Sequence, residues 1–373
     1  MGRMLFRSMC SRLAPCLFLA APLQAGATTP SVPSVYHHQA AGLSAYHSTI
    51  KVSQYMIEDD IEDVEVVDAV YNGIVGAEWN LSVGTLNGPF SSSTIVATMG
   101  EEPLNADIRS KRVVYERFGP NIITPPTMSG SDIFLRRYIP LSATGMISTH
   151  TGMSTYGRHP RLHGTQVVWH VEEPSGPWYI ARRDLVSNST HLVPSSPTAF
   201  YVARPVIWSN YIAYESDWYV EIYNMSTGTY QVFDEPHPNY WDRREPSLGG
   251  NRIAYEQIGV DTRISYRNLG TPIGPETAIN GPCLHHYDPV VSDTGEFILS
   301  RGWGCPDSAA EPLYVTHIDS NGVQSTYFVA DMENVELRSE AYDIDNDVIA
   351  YLVTPIPLGL SEIWSLKIDR SAL

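Results

Sequence analysis

Arginine, histidine and aromatic residues recur at matching points of this 373-residue sequence. The groups are Arg158 and His159; Tyr201 and Arg204; His237, Tyr240, Trp241, Arg243 and Arg244; His285, His286 and Tyr287; and Arg338. A guanidinium grips a carboxylate with two parallel hydrogen bonds, and a Tyr or Trp ring offers a flat face to a sugar. Together they suit an anionic ligand, an acidic saccharide above all. Asp242, Glu245, Asp288 and Glu340 are interleaved, so the same arginines can instead join neighbouring units as ion pairs. Histidine titrates near neutrality and can serve as general acid or base. Eliminative cleavage of a uronate needs a base, a cation for the carboxylate and an acid for the leaving oxygen. His150, His170, His237, Tyr240 and Arg244 are the candidates for those roles. The binding candidates are Arg158, His159, Arg204, Tyr240, Trp241, Arg243, Arg244, His285 and His286.

What must position these residues is a repeated phrase. A proline or its stand-in is followed by a turn and an apolar triplet. It runs from Pro160 to Trp169, Pro205 to Tyr214, Pro246 to Tyr255, from Pro289, and from Tyr342 to Tyr351, with anchors 45, 41, 43 and 53 residues apart. A period of about 40–50 residues with several strands per unit marks a β-propeller. Ser209-Asn210, Gly249-Gly250-Asn251 and Asp293-Thr294-Gly295 supply hairpin turns, because these residue types tolerate positive φ. The triplets suit strands covered on both faces. Third strands read as Val220–Met225, Ile264–Leu269, Leu313–Ile318 and Glu362–Ile368.

The same template extends toward the N-terminus through Arg112–Tyr115 and Ile133–Tyr138. A more divergent unit takes Val64–Tyr71, Gly73–Trp79 and Thr94–Met99. The expectation is an all-β propeller of seven four-stranded blades, or six if the first unit is misassigned. Its last unit has three strands of its own, and Thr49–Met56 is expected to add the fourth and close the ring.

Ahead of the propeller, Arg3, Arg7, Arg12, the apolar run Leu13–Leu23 and Ala25-Gly26-Ala27 read as a signal peptide over 1–27. Residues 28–48 read as a flexible leader and 49–373 as one domain. No later segment has the roughly 20 apolar residues of a membrane span. The net charge of −17 excludes nucleic acid as a general partner, for want of a basic footprint. An exported, periplasmic or extracellular monomer is expected. Of four cysteines, Cys283 and Cys305 remain after processing. They flank the hairpin turning at Asp293-Thr294, so a disulfide is expected. The competing reading is a metal site built from Cys283, His285, Cys305 and His317. No other metal or cofactor site is expected.

The order of anchor proline, short turn, apolar triplet, variable loop, Ile-Tyr-x-Met/Leu and Thr-Gly resembles the TolB-like β-propeller repeat. Arg204–Phe233, Arg244–Leu269 and Asp288–Gly322 carry it most fully. Ser292-Asp293-Thr294-Gly295 resembles that family's Ser-Pro-Asp-Gly turn without its proline. The resemblance spans about 155–373 well and 60–150 weakly. It implies a propeller fold, shared by export-associated proteins, surface propellers, peptidase propeller domains and some polysaccharide lyases. No Gly-x-Ser-x-Gly motif or second TolB-type domain accompanies it. The first functional expectation is a propeller that binds a glycan or protein at the rim ahead of its anchors. The alternative is a polysaccharide lyase acting there. A third, a purely structural surface module, stays open.

Overall fold

The computed structural model describes residues 29–41, 46–56, 62–72, 78–85, 91–99, 102–109, 112–120, 129–137, 145–148, 156–173, 176–197, 199–233, 239–306, 308, 311–331, 341–353 and 362–373. The signal-peptide reading over 1–27 lies outside them. The first described strand is β1 (Ser34–Ala41). A first sheet follows, of β2 (Tyr46–Met56), β3 (Glu62–Asn72), β4 (Glu78–Thr85) and β5 (Ser91–Met99). The second group is β6 (Glu102–Arg109), β7 (Arg112–Pro120), β8 (Ser129–Arg137) and β9 (Gly145–Met146). The third is β10 (Tyr156–His163), β11 (Gln166–Glu172), β12 (Tyr179–Asp184) and β13 (Ser189–Val193). A parallel bridge, Tyr156↔Ser131, joins these two groups into one eight-stranded sheet.

The fourth group is β14 (Val202–Trp208), β15 (Tyr211–Ser216), β16 (Tyr219–Asn224) and β17 (Thr229–Phe233). The fifth is β18 (Tyr240–Gly249), β19 (Arg252–Gly259), β20 (Thr262–Asn268) and β21 (Thr277–Ala278). The sixth is β22 (His285–Val291), β23 (Phe297–Trp303), β24 (Pro312–Ile318) and β25 (Gln324–Asp331). Last come β26 (Tyr342–Asp345), β27 (Val348–Val353) and β28 (Glu362–Ile368). Within each group successive strands pair antiparallel. Among the described residues, no helix is long and apolar enough to cross a membrane.

Two expectations about the N-terminus are corrected. Residues 49–56 belong to β2, which pairs with β3 in the first sheet. The strand beside β28 is β1, inside the segment read as a flexible leader, with Ser34 opposite Ile368 and His37 opposite Leu366. β1 is the outermost strand of its sheet, and Val35 and His37 are exposed. An outer strand of this kind carries no apolar stripe, which is why its sequence reads as polar leader.

The apolar triplets owe their composition to face-to-face stacking of neighbouring groups. Side chains alternate along a strand, so a triplet feeds two interfaces at once. On β11, Val167 and Trp169 pack with Val114 and Ile133 of the second group, while Val168 packs with Ile212 and Tyr214 of the fourth. On β15, Ala213 turns the other way, to Ile253 and Tyr255. On β19, Ala254 meets Val291 and Ile298. Phe297 and Leu299 complete the series against Tyr342 and Tyr351. Each buried large side chain contributes roughly 1.5–3 kcal/mol. The expected disulfide is present, Cys283 to Cys305.

Glycine is needed where one sheet's turn meets the next. A Cβ on Gly249 would lie 2.1 Å from the Ser292 carbonyl oxygen. At Gly228, by contrast, φ is +71° and a Cβ would meet nothing within 4 Å. Gly228→Ala should therefore cost only the left-handed backbone penalty, about 1–2 kcal/mol. Gly249→Ala must displace backbone and should cost clearly more in urea unfolding. Equal losses would contradict the close approach of the two turns.

Candidate functional site

In five of the groups the opening strand carries a kink at a matching place. Register shifts fall between Leu104 and Asp107, Arg158 and Arg161, Ala203 and Val206, Arg244 and Ser247, and Tyr287 and Val290. At each, one non-glycine residue has a left-handed backbone: Asn105, His159, Arg204, Glu245 and Asp288, with φ of 50, 48, 48, 49 and 51°. Four of the five directly precede an anchor proline, which explains the kink in part. Proline disfavours the right-handed helical region for the residue before it, and a bulge supplies an alternative.

At the four before a proline, the kink turns a backbone N–H out of its own sheet, and a polar side chain of the preceding group receives it. Glu215 Oε1 accepts from Glu245 N at 2.8 Å, and Glu256 Oε1 from Asp288 N at 2.6 Å. His170 Nδ1 accepts from Arg204 N at 3.4 Å, and the backbone of His159 hydrogen-bonds to Glu116. Glu116, His170, Glu215 and Glu256 are all buried, and each directly follows the aromatic of its apolar triplet. At the next such position stands Arg301, which pairs with the Asp288 carboxylate. The seam beyond it is held by Tyr342, whose hydroxyl donates to the Asp288 carbonyl at 2.6 Å.

These clips decide the protonation of the groups in them. Burial raises the Glu116 and Glu215 carboxyls above the ordinary range, against the pull of Arg158 on the first and of Arg204 and Arg244 on the second. Burial lowers His170, although Glu172 opposes it. Its Nε2 lies 3.1 Å from Glu172 Oε1. With Nδ1 as acceptor, the proton sits on Nε2 and the ring is neutral. His159 is lowered well below its ordinary value by burial and by neighbouring His170. His286 is lowered to about 4, mainly by burial.

The sequence candidates divide accordingly. His159, His170 and Trp178 form a pile of rings, with centroids 5.2 and 5.7 Å apart. His286 is buried beside Ser300 Oγ at 3.2 Å. His285 Nδ1 accepts from Thr262 N at 3.0 Å. Tyr240 is buried beneath Arg263. Arg243 is also buried, 3.6 Å from Glu276. Arg158, Arg204 and Arg244 remain half-exposed at 36, 40 and 44%. Trp241 is exposed. His150, His237 and Arg338 lie outside the described residues.

The metal alternative at Cys283, His285, Cys305 and His317 is corrected. The two sulfurs are joined to each other, so neither is a thiolate ligand. His317 packs on Phe297 at the opposite end of its strand pair. Among the described residues no group of three or more His, Cys, Asp or Glu is placed to hold a metal ion.

The opening strands surround a cavity of about 840 Å³, part of it open solvent, lined among others by Arg161, Glu245, Asp288 and Asp343. Arg109 of β6 crosses it. It pairs with Asp293 in the β22–β23 turn, approaches Asp345 of β26 at 3.7 Å, and lies 5.1 Å over the Trp208 ring of β14.

In sequence, no family model matches the chain and no curated protein matches it. In three dimensions it is similar to the β-propeller domain of the Trilobed protease from Pyrococcus furiosus. The TM-score is 0.55 at 11% identity, over 87% of this chain and 94% of that one. The fold is a β-propeller. An oligogalacturonate lyase from Vibrio parahaemolyticus is similar to the same degree, with TM-score 0.55, 10% identity and 88% and 99% coverage. A chain of a mitotic checkpoint complex gives 0.58 at 12% identity, over 99% and 100%. At such identities the propeller's architecture is shared and nothing of its chemistry follows.

Removing one clip acceptor tests this arrangement. Glu215→Ala leaves the Glu245 N–H and the Arg204 guanidinium without their buried partner. It should lower the unfolding free energy by about 1–3 kcal/mol. A loss below a few tenths of a kcal/mol in urea unfolding would show that the clip contributes nothing.

Proposed function

We propose that the chain is an exported β-propeller of seven blades, closed by β1 against β28. It binds an acidic saccharide across the rim where each opening strand begins. The reading rests on three arginines that meet solvent above more buried acidic partners. Arg158, Arg204 and Arg244 are half-exposed, while their partners Glu172, Glu215, Glu245 and Asp242 have side-chain exposures of 15, 6, 21 and 3%. Arg244 meets Asp242 through Nε at 2.6 Å, and Arg158 meets Glu172 through Nε at 3.3 Å. Arg204 is held through its fork instead, with Nη1 toward Glu245 and Glu215. In a chain of net charge −17, this rim turns cations outward.

Exposed rings flank those cations. The openings of β14, β18 and β22 lie beside the ends of β15, β19 and β23, with Val202 opposite Ser216, Tyr240 opposite Gly259 and His285 opposite Trp303. Phe200, Trp218, Tyr219, Trp241, Leu284 and Trp303 all stand at these ends and all are exposed. Arg244 lies 5.9 Å over the Trp218 ring. Flat rings beside upright guanidiniums suit a ribbon of uronate residues. The exposed Leu284 and Val260 favour a protein partner as the second reading.

The lyase reading ranks below both. Of its candidate histidines, His170 is stacked between His159 and Trp178 inside the wall, and His150 and His237 lie outside the described residues. Tyr240 is buried as well. The disulfide fits an oxidising compartment, and the chain is read as a monomer.

Isothermal titration with polygalacturonate, alginate and heparin tests the proposal, with neutral dextran as control. Each polyanion that binds should weaken at least about tenfold with Arg158→Ala or Arg244→Ala, since each removes a charge-assisted contact, and with Trp218→Ala. The far-ultraviolet spectrum of each variant should stay native. Binding that ignores all three changes places the site elsewhere. Release of an unsaturated uronate product would restore the lyase reading.

A further inference from the structure

The clip acceptors form a series, and Glu256 is its exception. Glu116 receives the Asn105 side-chain amide at 2.7 Å as well as the His159 backbone, and Arg158 acts on it electrostatically. Glu215 has the Arg204 guanidinium at 3.8 Å. His170 is a neutral ring. Glu256 is as deeply buried as these, yet among the described residues it forms no ion pair. Its one hydrogen bond there is from Asp288 N.

What faces Glu256 is mostly acidic or neutral. Asp288 and Tyr287 approach from β22, Glu215 from β15 and Tyr342 from β26. The cation that acts on it, Arg204 of β14, is already engaged by Glu245 and Glu215. Arg244 stands opposite it in register on β18, but its guanidinium is on Asp242. Arg301 of β23 is held by Asp288 and by Glu311 at 3.3 Å.

We propose that Glu256 is a proton-operated clip in the seam between β19 and β22. Protonated, it keeps an oxygen for the Asp288 N–H and stands without repulsion beside the Asp288 and Glu215 carboxylates. Ionised, with its proton released to solvent, it sets like charges against each other at the kink and loosens the seam. Burial first, and Asp288 next, raise this carboxyl to about 7, so the change falls near neutrality. A folded value above the unfolded one means that the fold binds this proton more tightly. The stabilisation is complete below the ordinary carboxylate range and is lost as pH rises through about 7. The device is independent of what the rim binds.

The test is urea unfolding of the wild type and Glu256→Gln between about pH 5.5 and 8.5. The amide keeps an acceptor for Asp288 N–H and cannot ionise. The wild-type folding constant should fall across that window by at least about tenfold relative to the variant. If the two change in parallel, or if the wild type is flat, the proposal is overturned. Should the variant fold poorly, hydrogen exchange of the Asp288 amide in the wild type decides. Corrected for intrinsic rate, its protection should drop about tenfold over the same window, and constant protection overturns the proposal.

Discussion

A backbone N–H turned out of its sheet by a left-handed kink must find an acceptor, or the fold carries the full cost of a buried, unmet donor. At four of the five kinks of this propeller the acceptor comes from the preceding blade. The kinks at His159, Arg204, Glu245 and Asp288 are met by Glu116, His170, Glu215 and Glu256. Apolar triplets stack the blades, but stacking is non-directional and would tolerate sliding. The clip fixes how far each blade sits along its neighbour. It also fixes the ends of the opening strands, and with them everything on the rim.

The same constraint accounts for the charge pattern. Three of the four acceptors are carboxyl groups held in the wall, and arginines gather beside Glu116 and Glu215. Arg204 reaches both Glu215 and Glu245 and thereby ties two blades. In the pairs of Arg158, Arg204 and Arg244 the acid is the more buried member, whereas Arg243 and Arg301 are buried themselves. Ion pairing inside the wall and the half-exposed guanidiniums of Arg158, Arg204 and Arg244 are therefore one arrangement.

Much of this architecture is legible in the residues. The anchor prolines, the turns at Ser209, Gly250 and Gly295, the third strands and the Cys283–Cys305 bridge follow from local rules of backbone freedom and periodicity. The clips do not. Glu116, Glu215 and Glu256 each follow a buried tyrosine and read as the polar end of a strand, because their partners are some 30 to 43 residues away. The signal available is positional: a charged or imidazole side chain recurs just after the aromatic in four units, and Arg301, after Ser300, takes the same register position. The arginine pool was visible, but which members are buried was not. Arg243 and Arg244 are adjacent in sequence, and strand alternation sends one into the wall toward Glu276 and the other outward. The closing strand was misplaced because β1 lies on an outer edge, where no apolar pattern is required.

The most direct measurement is residue-resolved hydrogen exchange of four backbone amides, those of His159, Arg204, Glu245 and Asp288. Each follows a strand segment, precedes a proline and sits at a kink, where an unclipped amide would exchange at the rate of a loop. If the blades are registered by these clips, all four should be protected to nearly the level of the triplet amides at Val168, Ala213 and Ala254. Loop-like exchange at most of them, with the triplets still protected, would contradict the account.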